Sequence, residues 1–195
     1  MRGLVALLVA LGPSMAFAGY INFHKDGFVR EDIQYLESQL RWYMNNGDFD
    51  VTIDLDSAGG DLSGLLGVRN YEQGLAYKIK AMKEEGLTLT TIVRARSKCE
   101  SACTALFAIG DKRVANRNSN FMFHAVIIQK AKTRAGKLRF KKIYANRWLR
   151  LINEVDPKLA AYLEEAGWLL TRRQDWDVSA RRLKNRFGQY ITNLI

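Results

Sequence analysis

The chain has 195 residues, 48% of them hydrophobic and 26% charged, and only two prolines. That length and composition suit one domain with its own core and give no case for a long disordered tract, and the sequence shows no internal repeat. Thirty Lys and Arg against 20 Asp and Glu give a net charge of +10, and the excess is local: twelve Lys or Arg and no acid lie between Lys112 and Asn153.

The first twenty residues, MRGLVALLVALGPSMAFAGY, carry one Arg, a short apolar run, Gly-Pro and Ala16-Phe17-Ala18. This is the order of a secretory signal peptide, with cleavage predicted after Ala18. The alternative is an uncleaved membrane anchor. No later apolar stretch is long enough to span a bilayer. Residues 1–18 are therefore expected to be a signal peptide and 19–195 a single domain, periplasmic or secreted, where disulfides persist.

In chain order, GYINFHK reads as a strand. FVREDIQYLESQLRWYMNNGD reads as a helix, with Ile33, Leu36, Leu40 and Tyr43 at three- and four-residue spacing. VTIDLDSAGGD reads as an alternating strand broken at Gly59-Gly60. Residues 62–85 read as one helix and 87–95 as a strand. Residues 101–110 read as a small, apolar helix, followed by two short strands, RVAN and NFMFHAVII. Helices are predicted over 138–153 and 156–170, and the tail as a helix, Gly188 and a last strand. Alternating strands and helices predict an α/β fold with a mostly parallel sheet and peripheral helices. In such sheets the site lies at the carboxyl ends of strands.

Three of those ends carry chemistry. Ser101 would open a buried helix, where free N–H groups and the helix dipole favour negative charge. A serine needs a base beside it, and His124 follows a strand. Gly59-Gly60 lets backbone N–H groups approach a ligand, as an oxyanion hole requires. Singly, these signals read as an N-cap, a core histidine and a turn. Asp54, Asp56 and Asp61 read as turn and strand-edge residues. No metal-ligand spacing and no phosphate loop is found.

Taken in order, the motifs resemble the Clp protease proteolytic subunits and, within that superfamily, exported Clp-like proteins with the ClpP/crotonase fold. VTIDLDSAGGDLSG resembles the oxyanion segment. CESACTALFAIGDKRVANRNSNFMFHA resembles the run from the nucleophile to the catalytic histidine. QDWDVSARRL resembles the segment with the catalytic aspartate four residues before Ser-Ala, and RFGQYITNLI the closing strand. The resemblance implies repeated ββα or βαβ units and a catalytic set of Ser101, His124 and Asp175, with Asp177 as the rival third member. It implies oxyanion donors at Gly60 and Ala102. Lys98-Cys99-Glu100 replaces the family's Gly-rich lead-in, the proline after the histidine is absent, and the Gly60–Ser101 spacer is longer.

The implied function is an exported serine hydrolase, a peptidase acting on peptide or protein substrates without direct ATP use and without a cofactor, with a homo-oligomer as the assembly. The alternative is a non-catalytic binding protein on the same fold, holding an anionic envelope partner through the basic segment 130–150. Nucleic acid is a poor fit to an exported chain. Cys99 and Cys103, the only cysteines, form a possible disulfide if Cys99 lies in the turn before the helix, because i and i+4 on a regular helix hold their Cβ atoms too far apart.

Overall fold

A computed structural model describes residues 18–67, 70–128, 133–170 and 175–195. The expected signal peptide lies outside the described residues but for Ala18. Among the described residues no helix is long and apolar enough to cross a membrane.

The fold is α/β, with a mostly parallel sheet. Its centre is β2 (Asp50–Ser57), whose apolar Val51, Ile53 and Leu55 are fully buried. The first strand, β1 (Gly19–Lys25), lies parallel along one edge of β2 for its whole length. The other edge is shared. β3 (Thr88–Val93) pairs with Asp50–Asp54, and the short β4 (Lys98–Glu100) meets β2 further on, at Ser57 opposite Cys99. A strand has only two edges, so the sheet forks here. One limb continues from β3 through β5 (Lys112–Ala115), and the other from β4 through β6 (Asn120–Phe123).

Each limb is then closed by a strand from the tail. β7 (Trp176–Ser179) runs antiparallel to β6, and β8 (Asn193–Leu194) parallel to β5. The fork is tied by Asp56, whose carboxylate accepts from the Lys98 N–H at 3.0 Å.

The helices follow the sheet. α1 (Arg30–Asn45) buries Ile33, Leu36 and Leu40 as its sequence predicts, but its fourth buried residue is Met44, and the expected Tyr43 is only partly buried. The predicted helix 62–85 is instead broken into α2 (Leu62–Leu66), a 3-10 turn (Tyr71–Gln73) and α3 (Leu75–Glu84). Gly67 takes φ +77, and a Cβ on Gly74 would lie 2.5 Å from the Gly67 nitrogen, so two glycines in close approach end the helical run.

The small-residue helix α4 (Ala102–Ala108) has all seven residues buried. Its Phe107 packs edge-on against Phe121 with centroids 5.0 Å apart and reaches Tyr190 at 5.4 Å. Such aromatic pairs add about 0.5–1.5 kcal/mol each beyond their buried area. α5 (Arg134–Val155) starts earlier than predicted because Thr133 caps it, accepting from Gly136 N–H at 3.0 Å. α6 (Pro157–Glu165) ends before the predicted 170, and α7 (Ala180–Phe187) leads through Gly188 to β8. Two buried polar groups lock the tail in place. Arg113 donates to the carbonyls of Gly110, Gln189 and Tyr190, and the Asp156 carboxylate accepts from the N–H groups of Gln189 and Tyr190.

Candidate active site

The residues singled out in the sequence gather just beyond the ends of neighbouring strands around the fork. β6 pairs Cys99 with Phe121 and Glu100 with Met122, and the Ser101 N–H donates to the Met122 carbonyl at 2.8 Å. Ser101 therefore directly follows β4 beside the end of β6, and His124 is one residue beyond Phe123, where β6 stops. The predicted strand NFMFHAVII thus ends before the histidine, which leaves His124 half-buried on irregular backbone.

On the far side, β7 pairs Phe123 with Trp176 and Met122 with Asp177. The next position of that antiparallel register sets Asp175 opposite His124. On the near side, the register Ser57–Cys99 extends to Gly59 beside Ser101. Across adjacent strands the order is Asp175, His124, Ser101, Gly59-Gly60.

Ser101 sits at a sharp strand-to-helix turn. Its backbone has φ +53 and ψ −127, a region that costs a residue with a Cβ about 1–3 kcal/mol. The turn is held by the Ser101 N–H bond to Met122 and by Thr104, whose N–H and Oγ1 both donate to the Ser101 carbonyl at 2.9 Å. Such an elbow lifts a serine hydroxyl clear of the sheet. α4 has only seven residues, so any anion stabilisation here rests on its first N–H groups rather than on a long helix dipole.

Two N–H groups are available. Ala102 is the first helical residue, so its N–H has no intrahelical acceptor. Gly60 forms a parallel bridge with Phe28, in which Phe28 N–H donates to the Gly59 carbonyl and Asp61 N–H to the Phe28 carbonyl, each at 2.8 Å. Backbone groups alternate between the two edges of a strand, so the Gly60 N–H points to the opposite edge, toward β4. It finds no acceptor among the described residues. Gly60 has to be glycine: its φ is +151, and a Cβ would meet the Phe28 oxygen at 2.0 Å.

His124 Nδ1 lies 2.8 Å from the Ala125 carbonyl oxygen. A carbonyl only accepts, so Nδ1 donates in this contact, and Nε2 is left without a partner among the described residues. Among the described residues no hydrogen bond joins His124 to Ser101 or to Asp175, and Asp175 is exposed with no side-chain partner. Asp177, its rival, is engaged elsewhere and accepts from Asn120 Nδ2 at 3.2 Å.

The cysteines are joined: Cys99 lies in the middle of β4 rather than in a turn before the helix, Cys103 lies in the first turn of α4, and a disulfide links them across the elbow with Cα atoms 5.1 Å apart. Among the described residues no cluster of three or more His, Cys, Asp or Glu side chains forms a metal site.

Asp54 corrects the sequence reading. It is no strand-edge residue but lies within β2, 2% exposed. It accepts from the Tyr20 hydroxyl and from Arg94 Nε, and His24 Nε2 approaches it at 3.5 Å. Burial pushes this carboxyl up, but the hydrogen bonds from Tyr20 and Arg94 and the nearby cations outweigh it, and the carboxyl is held below its ordinary value. Composition gave no hint of this cluster, since its members come from β1, from β2 and from the residue after β3. Asp61 does behave as a turn residue, capping α2 by accepting from Ser63 N–H at 2.9 Å. His24 lies on β1, on the edge of β2 away from Ser101, and belongs to the Asp54 cluster.

A scan against protein-family models finds no match for this chain, and no curated protein matches it.

Proposed function

We propose that the chain is an exported serine hydrolase, a peptidase on a ClpP/crotonase-like fold that uses no ATP. The observation that carries this reading is the order across the strand ends: paired N–H donors, a serine on a positive-φ elbow, a histidine with a bare Nε2, and a carboxylate next in register.

Ser101 Oγ attacks a substrate carbonyl while His124 Nε2 takes its proton. The N–H groups of Gly60 and Ala102 bind the oxyanion, each supplying about 3–4 kcal/mol in the transition state. The C–N or C–O bond then breaks as the imidazolium returns the proton to the leaving group. Water, deprotonated by the same nitrogen, releases the acyl group from Ser101. The Ala125 carbonyl holds the imidazole tautomer, and Asp175 turns toward the imidazolium as it forms and stabilises its charge. Hydrolysis of an activated ester tests this: a burst of one leaving group per chain is expected, lost in Ser101→Ala. Turnover equal in both proteins excludes the serine as nucleophile.

A second reading rests on α5. Arg134, Lys137, Arg139, Lys141 and Lys142 crowd its first half, and among the described residues none has an acidic partner. Stacking two copies symmetrically through this half would set like charges together, which opposes a homo-oligomer built on it and favours an anionic envelope partner. Co-sedimentation with vesicles with and without anionic lipid separates the two. A protein that binds only anionic vesicles and gives no burst is a binding module.

A further inference from the structure

We infer that Cys99 and Cys103 are positioning residues: their disulfide is a latch that forces the elbow at Ser101 and is set once, during oxidative folding. This rests on the serine-hydrolase reading of Ser101 for its consequence in activity, but not for its structural content.

The two sulfurs bracket the strained residue and almost nothing else. Between them lie Glu100, Ser101 and Ala102, and the middle one carries φ +53. The backbone before the elbow is anchored mainly on one side: all three residues of β4 pair with β6, but β4 meets β2 at a single pair. Continued as a strand, the chain would put the Cα atoms of 99 and 103 roughly 13 Å apart. The bond holds them at 5.1 Å, so strand continuation is excluded and a turn has to fall at 100–102.

A loop this small constrains the unfolded chain only weakly, so the effect of the bond is local rather than a general brace. Pairing is also unambiguous, since the chain has no other cysteine.

Both cysteines are fully buried. Thiol–disulfide exchange needs a thiolate to reach a sulfur, so the folded protein offers reductants no path. The bond forms earlier, when the two thiols give two electrons and two protons to a disulfide oxidant, which is reduced to thiols. A chain held in a reducing compartment would thus keep a relaxed turn and a misplaced Ser101. Oxidation on export completes the site, and burial then shields the bond from reductants while the fold stays closed.

The test compares wild type with the Cys99→Ala/Cys103→Ala pair, each also in a Ser101→Gly background, where glycine adopts φ +53 without cost. Amide hydrogen exchange is read at Ser101 and Thr104, whose N–H groups hold the turn. The alanine pair is expected to exchange at least tenfold faster there, with β3 and α7 unchanged, and much less so in the glycine background. Fluorophosphonate labelling gives the functional arm. The maximal labelling rate should fall by on the order of 100-fold, as for a nucleophile displaced by about 1 Å, while the half-saturating probe concentration stays put. A pair that folds only with glycine at 101 also supports the latch.

Unchanged exchange at Ser101 and Thr104 overturns it, as does a pair that fails to fold in both backgrounds, or a native protein carrying two free thiols by mass. Failure of oxidised wild type to label, with its turn protected, overturns the hydrolase reading instead and leaves the latch to the exchange result.

Discussion

Gly59 lies against Ser101 so closely that a methyl group on its α-carbon would sit 2.6 Å from the serine Cβ, and equally near the Glu100 carbonyl oxygen. Neither neighbour can yield, since one is backbone and the other is fixed by the elbow. Gly59 also has φ +94. Gly59→Ala is therefore expected to cost about 3 kcal/mol and to displace the serine. Chemical denaturation measures the first and ester turnover the second.

The elbow itself makes a stability prediction. If φ +53 at residue 101 is strained, Ser101→Gly should be more stable than Ser101→Ala by about 1 kcal/mol, the reverse of the usual order for these residues. Equal stabilities by thermal unfolding would mean the turn carries no strain.

Asp175 and Asp177 separate by register. Asp175 falls opposite His124, whereas Asp177 pairs with Met122 and is bonded to Asn120. Asp175→Asn should lower ester turnover by roughly 100-fold or more, since an amide cannot stabilise the imidazolium. Asp177→Asn should leave it within about threefold. The two variants assayed side by side decide the third role.

The Asp54 cluster predicts an acid transition. A carboxyl held below its ordinary value by Tyr20 and Arg94 contributes stability that is complete above the unfolded value, about 3.9. That contribution is lost as pH falls through the lower folded value. Asp54→Ala should cost about 2 kcal/mol at pH 7, where charged hydrogen bonds are broken, and markedly less at pH 3. Urea unfolding at the two pH values checks it, and an equal cost at both would show that the carboxylate charge is not what stabilises.

Much of this fold was legible because its elements have clear periods. β1, β2, α1 and the buried α4 follow directly from alternation or three- and four-residue spacing. β4 and β7 escaped because they have three and four residues, too short to show any period, and exist through their partners β2 and β6. The run 62–85 kept a helical pattern but hid Gly67 and Gly74, whose close approach is a tertiary fact. The order of Gly60, Ser101, His124 and Asp175 along the chain was readable as a motif resemblance. Their order across the sheet was not, because it depends on β7 reversing direction beside β6. Asp54 was misread because its partners are brought to it only by the fold: Tyr20 and Arg94 lie 34 and 40 residues away.

The central claim is that Ser101 is a nucleophile activated by His124. Its most direct test is covalent capture with a fluorophosphonate probe, the adduct located by peptide mass mapping in wild type, Ser101→Ala and His124→Ala. One adduct per chain on Ser101 is predicted, absent in Ser101→Ala and slowed by at least about 100-fold in His124→Ala. Folded wild-type protein that takes up no more probe than Ser101→Ala would contradict the account.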